Sequence, residues 1–100
     1  MVELALYVKM KAKEGKASEV EAFLQAGRSL AEQEPGTKAW FALRLDPDTF
    51  AIFDVFETEE ARQAHLDGPI AAALMEKAPQ LLSGAPEIHK VDVPAAKLPA

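Results

Sequence analysis

The sequence predicts an α+β domain in which one antiparallel sheet is covered by helices on a single side. Strand-like and helix-like periods follow each other in the order strand, helix, strand, strand, helix pair, strand. The 100 residues, 49% of them hydrophobic, are enough for one core. We therefore expect residues 1–93 to form one domain and residues 94–100 to form an extended tail.

The first two predicted elements differ in their hydrophobic period. From Val2 to Ala12 the even positions are apolar, whereas the odd positions include charged residues and a tyrosine, which is typical of a strand with two unlike faces. After Gly15 the apolar residues recur at spacings of three and four, which predicts a helix from about Lys16 to Glu34. Pro35 and Gly36 are expected to end this helix.

The middle of the chain has the pattern of a hairpin. Two apolar runs, Thr37 to Leu45 and Phe50 to Glu57, flank Asp46-Pro47-Asp48-Thr49. A proline between two aspartates favours a tight turn, so we expect two antiparallel strands.

Two short helices and a last strand complete the predicted order. Thr58 is a good N-cap for a helix that reaches about Leu66. Pro69 is suited to begin a further helix, which is expected to end at Pro79 and to be followed by one more turn at residues 81–82. Glu87 to Val93 is the last strand candidate. This order is that of a ferredoxin-like fold, β-α-β-β-α-(α)-β, with a four-stranded antiparallel sheet.

Composition excludes several classes of function. The chain has 11 basic and 16 acidic residues, a net charge of -5, and no block of basic residues, so we expect no nucleic-acid partner. It has no cysteine, which excludes disulfides, thiolate catalysis and cysteine-based metal sites. Residues 1–13 do not resemble a signal peptide, and no apolar run has membrane-spanning length. We expect a cytoplasmic protein with no membrane partner.

Both faces of the predicted hairpin carry large apolar side chains, and this predicts a homodimer. The second predicted strand has Phe41, Leu43 and Leu45 on one side and Trp40 on the other. The third has Phe50, Ile52 and Phe56 on one side and Phe53 and Val55 on the other. Helices can cover only one face, and each large apolar side chain contributes about 1.5–3 kcal/mol when it is removed from water. A second copy can cover the other face. The alternative is a monomer whose helices and tail wrap more of the sheet.

Two segments resemble the antibiotic biosynthesis monooxygenase domain family. They are Glu34-Pro35-Gly36-Thr37, which closes the first helix, and Phe53-Asp54-Val55-Phe56-Glu57 running into Glu59-Glu60-Ala61-Arg62-Gln63-Ala64-His65. The resemblance extends from Val2 to about Val93. It implies a dimeric α+β barrel with a pocket in each subunit between sheet and helices. Some members oxygenate quinols or polyketide aromatics without metal or flavin, and others degrade haem.

The haem-degrading branch of the family is disfavoured by three departures. That branch usually has an asparagine on the first strand, a tryptophan at the end of the third and a histidine on a following helix. Here Leu4 and Leu6 occupy the apolar face of the first strand, the chain contains no asparagine, and Phe56 stands where the tryptophan would be. We therefore expect no cofactor. We also expect no metal, because two histidines with scattered carboxylates do not form a recognisable metal-ligand spacing.

His65 and Asp54 are the candidate catalytic residues. An unperturbed imidazole titrates near pH 6.5, so His65 is suited to act as a base at neutral pH. Its alternative role is to cap the C-terminal end of its helix. Asp54 lies between large apolar neighbours on its strand, which raises the pKa of a carboxyl and suits it to orient His65 or a substrate hydroxyl. Its alternative is a cross-strand ion pair with Lys38 or Arg44.

Tyr7, Trp40 and Phe56 are the candidate substrate-binding residues. Tyr7 and Trp40 are the only tyrosine and tryptophan, and each combines an apolar body with one polar group that can grip a planar ligand. Packing at a dimer interface is the alternative role for both. Arg44 and His89 are expected to be surface or interface residues.

Two functions are consistent with these residues. The first is a cofactor-independent monooxygenase acting on a small aromatic or quinol-type substrate. The second is a non-catalytic dimer that binds a small ligand or serves a stress-related role, and the lack of a second strong polar group near His65 in the sequence favours it.

Overall fold

The computed structural model describes residues 1–99 and confirms the predicted order of elements. The elements are β1 Leu4–Lys11, α1 Ala17–Glu32, β2 Ala39–Asp46, β3 Thr49–Phe56, α2 Glu59–Leu66, α3 Pro69–Leu81 and β4 Glu87–Asp92. The strands form one four-stranded antiparallel sheet in the order β2-β3-β1-β4. This is the ferredoxin-like α+β fold.

The core lies between the sheet and the helices. The β1–β3 register pairs Leu6 with Asp54 and Val8 with Ile52, so the even-numbered residues of both strands point toward the helices. The main apolar cluster combines these strands with side chains of α1 and α3, namely Val8, Met10, Val20, Leu24, Phe50, Ile52, Leu74 and Ala78. Helices α1 and α3 therefore pack on the same face of the sheet.

The other face of the sheet, called the open face here, has an aromatic row across all four strands. The register places Phe41, Phe53, Tyr7 and His89 side by side. Phe41 is 52% exposed, and Leu43 and Leu45 beside it are exposed too. No helix of residues 1–99 covers this face, which agrees with the sequence-based prediction of apolar side chains on both sides of the hairpin.

Local signals in the sequence account for the helix starts and the hairpin. The Thr58 hydroxyl accepts a hydrogen bond from the Ala61 N–H at 3.1 Å, as predicted for an N-cap. Pro69 is the first residue of α3. At the β2–β3 turn, a side-chain oxygen of Asp46 accepts bonds from the N–H groups of Asp48 and Thr49, at 2.9 and 2.8 Å.

The predicted end of the third helix is wrong. The helix continues through Pro79 to Leu81, and Leu82 forms a β-bridge with Ala12 instead of a further turn. A proline removes one helical hydrogen bond, but this loss falls in the last turn of α3. There the Pro79 carbonyl accepts a bond from Lys13 Nζ at 2.6 Å, which satisfies one carbonyl of the helix end.

The remaining differences lie at element boundaries. Helix α1 ends at Glu32 and β2 begins at Ala39, so residues 33–38 form a longer connection than predicted. Strand β4 ends at Asp92, and residues 93–99 contain neither helix nor strand. The last residue of the predicted tail, Ala100, lies outside the described residues. Over residues 1–99, no helix has the length and apolar character needed to cross a membrane.

Candidate active site

The inner face of α2 is polar, unlike the inner faces of α1 and α3. Arg62 and His65 are three residues apart, so both point toward the sheet, and both are buried. Buried polar groups need partners. Arg62 donates to the carbonyls of Ala5 and Val91, at 3.2 and 3.3 Å, and pairs with Glu59. Arg62 thereby links α2 to the backbones of β1 and β4.

His65 lies between two carboxylates. Its Nδ1 is 2.6 Å from Oε1 of Glu34, and its Nε2 is 2.8 Å from Oδ2 of Asp54. The imidazole is 7% exposed, and its centroid lies 5.5 Å from that of the Phe56 ring. We call Glu34, His65 and Asp54 the acid–histidine–acid array. Because both ring nitrogens face carboxylates, His65 does not use its side chain to cap its own helix.

Asp54 is the most deeply buried member of the array. It lies on the helix-facing side of β3, between its register partners Leu6 and Trp40. Within residues 1–99 neither carboxylate oxygen has an aligned hydrogen bond, so the Nε2–Oδ2 approach is a close contact that misses hydrogen-bond alignment. The alternative ion pair is not formed, because Lys38 lies near Glu57, at 3.7 Å, and Arg44 near Glu21, at 3.2 Å.

Glu34 is the member that the sequence-based prediction missed. It lies in the connection after α1, where the Thr37 N–H donates to the Glu34 carbonyl at 3.2 Å and the Thr37 hydroxyl donates to Oε1 at 2.7 Å. A Cβ on Gly36 would come within 2.9 Å of the Ala61 Cβ, so this turn packs tightly on α2. One signal was available: an acidic residue just beyond the negative end of a helix is unfavourable unless it has a partner.

Two members of the array, Asp54 and His65, have a raised pKa. Burial raises the pKa of the Asp54 carboxyl above its usual range, against the opposing effect of His65. Burial by itself would lower the pKa of His65, but the close contacts and negative charges of Asp54 and Glu34 outweigh it and raise that pKa to about 8. At neutral pH His65 is therefore mainly the imidazolium, and its basic form predominates only at higher pH than the sequence-based prediction assumed.

A small apolar cavity begins at His65 and runs between the sheet and α3. Its volume is about 40 Å³. Its walls are Leu6, Val8, Ile52, Leu66, Ile70, Ala71, Leu74, Met75 and Ile88. Pockets that enclose a drug-sized ligand usually measure about 300–1,000 Å³. Met75 and Ile88 are exposed, so these two side chains form the solvent side of the cavity.

The structure brings some of the predicted site residues together and separates others. Phe56 is buried beside His65. Trp40 is the cross-strand neighbour of Asp54, and its ring packs against Gly27, where a Cβ would lie 3.4 Å from the indole. Tyr7 points to the open face, so it does not share a site with His65.

The two predicted surface residues are exposed. Arg44 places its guanidinium 5.2 Å from the Phe50 ring centroid. The His89 ring lies 6.2 Å from that of Tyr7 on the open face. In the described part of the chain, no group of three or more histidine or acidic side chains is arranged to hold a metal ion.

Fold and site together define a ferredoxin-like α+β protein with a buried acid–histidine–acid array beside an apolar cavity. A profile described as "Antibiotic biosynthesis monooxygenase" matches residues 4–77. The chain belongs to the antibiotic biosynthesis monooxygenase family.

Solved structures share this fold. A crystal structure of NE2512, a protein of unknown function from Nitrosomonas europaea, is 53% identical and has a TM-score of 0.98, over 100% of this chain and 97% of that chain. PA3566 from Pseudomonas aeruginosa is 20% identical with a TM-score of 0.80, over 95% and 97% of the two chains. Rv0793 from Mycobacterium tuberculosis is 16% identical with a TM-score of 0.80, over 95% and 97%. The last two likenesses concern the fold alone. A search of curated proteins gave no match.

Proposed function

We propose that this protein is a cofactor-independent monooxygenase that acts on a small aromatic or quinol-type substrate in the cavity between sheet and helices. One observation carries the proposal: the acid–histidine–acid array lies at the end of an apolar cavity in a chain of the antibiotic biosynthesis monooxygenase family. Buried carboxylates lower stability unless they are well paired, so their presence in the core of a small domain supports a chemical role.

The chemistry needs a base and a dry site, because the substrate supplies the electrons. For an anthrone, removal of a proton gives an electron-rich anion that reacts with dioxygen. The ring CH₂ becomes C=O, one oxygen atom of O₂ enters the product, and the other leaves as water with the two hydrogens. A quinol-type substrate begins with the loss of a hydroxyl proton. Exclusion of bulk water protects the reactive anion.

The array supplies the proton-accepting group. In this proposal Nε2 of His65 receives the substrate proton, and Asp54 stabilises the resulting imidazolium. Among the described residues Nε2 makes no aligned hydrogen bond to Oδ2, and in this proposal the lone pair of Nε2 in the neutral ring accepts the substrate proton. The pKa of His65 near 8 means that this lone pair is free in a minority of molecules at neutral pH, and oxygenation should accelerate as the pH rises toward 8.

Substrate entry requires the cavity to widen. A volume of about 40 Å³ holds water-sized molecules but not an aromatic ring. Met75 and Ile88 are exposed and lie between α3 and β4, so movement of these two side chains opens the cavity with the least disturbance of the core. Methionine adapts readily because its side chain is unbranched and flexible.

Oxygen uptake tests the enzymatic function. The protein is incubated with a panel of hydroquinones and anthrones, and uptake is compared for wild type, His65→Ala and Asp54→Asn, with His89→Ala as the matched control on the open face. We expect wild type and His89→Ala to consume oxygen alike and the two array variants to lose most of the rate, on the order of 100-fold for loss of a general base. Uptake that equals buffer, or that the array variants retain, contradicts the proposal.

The second candidate function is non-catalytic binding of a small ligand. The small cavity favours it, as does the fact that Asp54 does not line the cavity. In the same panel this function predicts a rise in melting temperature with an aromatic ligand but no oxygen uptake, since a ligand that binds the folded state stabilises it.

We further propose that the protein is a homodimer joined through the open face, as the sequence analysis predicts. Phe41, Leu43 and Leu45 are exposed there beside the aromatic row. Light scattering coupled to size exclusion should give a mass near twice 10.8 kDa. Phe41→Glu should shift the mass toward that of one chain, because a charge cannot be buried unpaired in such an interface. A wild-type monomer at micromolar concentration contradicts this proposal.

A further inference from the structure

The two carboxylates that flank His65 have different surroundings. Oε1 of Glu34 accepts the Thr37 hydroxyl at 2.7 Å as well as facing Nδ1 of His65, and the Glu34 side chain is 18% exposed. The Asp54 side chain is 1% exposed, and among residues 1–99 no group offers its oxygens an aligned hydrogen bond. The Glu34 carboxylate therefore has a hydrogen-bond donor besides His65, whereas within the described residues Asp54 has none.

We propose that Glu34, fixed by Thr37, is a positioning residue that keeps the remaining proton of neutral His65 on Nδ1 and leaves Nε2 as the atom that exchanges protons. The catalytic consequence rests on the proposed monooxygenase function, whereas the choice of tautomer does not. Glu34 acts through His65 and is not expected to touch the substrate.

Hydrogen-bond chemistry supports this assignment. A neutral imidazole has one donor and one acceptor nitrogen, and the partner of one nitrogen decides which is which. An N–H bond to an ionised carboxylate is about twice as strong as a neutral one. Since the Thr37 hydroxyl stabilises the Glu34 carboxylate and Nδ1 lies 2.6 Å from it, the proton is held most strongly at Nδ1.

The turn that carries Glu34 allows little other placement of its carboxylate. The backbone closes from the Thr37 N–H to the Glu34 carbonyl, and Gly36 packs against Ala61 so closely that a Cβ would have to displace it. A Cβ on Gly68 would also lie only 3.4 Å from Oε2 of Glu34, so the α2–α3 connection lies close to the second carboxylate oxygen. The Glu34-Pro35-Gly36-Thr37 segment is thus built to present one carboxylate to Nδ1.

Other charged groups do not account for the protonation of His65. In the described chain the titratable groups that face its ring are Glu34, from the α1–β2 connection, and Asp54, from β3. The elements that form the cavity contribute apolar side chains there, such as Leu6 of β1, Leu74 of α3 and Ile88 of β4.

Ring-nitrogen NMR tests the proposal directly. The chain has two histidines, so ¹⁵N–¹H correlation through the imidazole ring gives two sets of signals, which His89→Ala assigns. At pH values above the midpoint of its titration, the neutral ring of wild-type His65 should carry its proton on Nδ1. In Glu34→Gln the midpoint should fall by about one pH unit, since one opposite charge is lost, and the neutral ring should shift toward the Nε2–H tautomer. Glu32→Gln is the matched control because Glu32 pairs with Arg28 and is exposed, and it should change neither quantity.

A second variant keeps the test decisive if Glu34→Gln folds poorly. Thr37→Val removes only the hydroxyl donor and should lower the midpoint of His65 by a smaller amount in the same direction. An unchanged midpoint and tautomer in a folded Glu34→Gln or Thr37→Val protein overturns the proposal. The NMR titration needs no substrate. Failure to consume oxygen would therefore contradict the monooxygenase function and leave the assignment of the tautomer unchanged. With an active substrate, Glu34→Gln should also move the pH–rate midpoint of kcat downward, which a purely structural role would not do.

Discussion

The two ends of the layer between sheet and helices differ in chemistry, and strand β3 passes through both. At one end Phe50 and Ile52 pack with Val20 and Leu24 of α1 in an apolar cluster. At the other end the same face of β3 carries Asp54, which contacts His65, and His65 in turn contacts Glu34. The apolar end is built for stability, whereas the polar end places ionisable groups where burial disfavours their charge. This difference locates the candidate chemistry at the polar end.

The largest effect on stability is expected at the apolar end. Phe50 is almost completely buried, so Phe50→Ala should lower the free energy of unfolding by about 3–5 kcal/mol through lost burial and a residual cavity. Urea denaturation measures the loss, and Leu98→Ala on the exposed terminal segment is the control. A loss below about 1 kcal/mol would show that this cluster is not the main core.

Removal of the central group at the polar end should be nearly as damaging at neutral pH. His65→Ala leaves Glu34 and Asp54 without the cation between them, and breaking a buried pair costs about 3 kcal/mol or more. The loss should shrink in acid because the carboxyl of Asp54, whose pKa is already raised, is neutralised by protonation. A loss that is the same at all pH values would contradict the ionic character of the array.

The pH dependence of stability should differ between the two ends. The pKa of His65 rises from 6.5 in the unfolded chain to about 8 in the folded one, so the folded state binds this proton more tightly. Its stabilising effect is complete below pH 6.5 and is lost as the pH rises through 8, by about 2 kcal/mol. Urea denaturation at pH 6 and 9 should show this loss in wild type, His89→Ala and Phe50→Ala but not in His65→Ala. Equal slopes in all four proteins would refute the assignment.

A smaller effect is expected where the Glu34 turn packs on α2. Gly36→Ala should lower stability by about 1 kcal/mol through overpacking against Ala61, because a Cβ there would lie 2.9 Å from the Ala61 Cβ. Adding Ala61→Gly to Gly36→Ala should relieve the overpacking. The double variant should therefore lose less stability than the sum of the two single losses, one of which is the cost of glycine in a helix. Simple additivity of the two substitutions would show that the turn does not rest on α2.

Sequence periodicity predicted the apolar end better than the polar end. Alternation along β1 and the three- and four-residue spacing of α1 are local signals, and both elements form as expected. The Thr58 cap, the Pro69 start and the Asp46-Pro47-Asp48-Thr49 turn depend on neighbouring residues only, and they too are confirmed. The predicted helix end at Pro79 was wrong because a proline in the last turn lowers the stability of a helix much less than one in the middle.

The polar end depends on contacts between distant parts of the chain. Glu34 and His65 are 31 positions apart, and no local pattern shows that the α1–β2 connection meets α2. Alternation along β1 predicts that Tyr7 does not lie on the apolar face of that strand. Only the β1–β3 register shows that Asp54 and Tyr7 lie on opposite faces of the sheet. The volume of the cavity depends on the packing of α3 against the sheet, which the sequence does not specify.

The pH titration of the wild-type His65 ring by NMR tests the central claim that the polar end of the layer holds a proton between two carboxylates. The structure predicts a single transition for His65 with a midpoint near pH 8. A midpoint at or below 6.5 would contradict it, because burial would then outweigh both carboxylates and the array could not supply the proton chemistry proposed here.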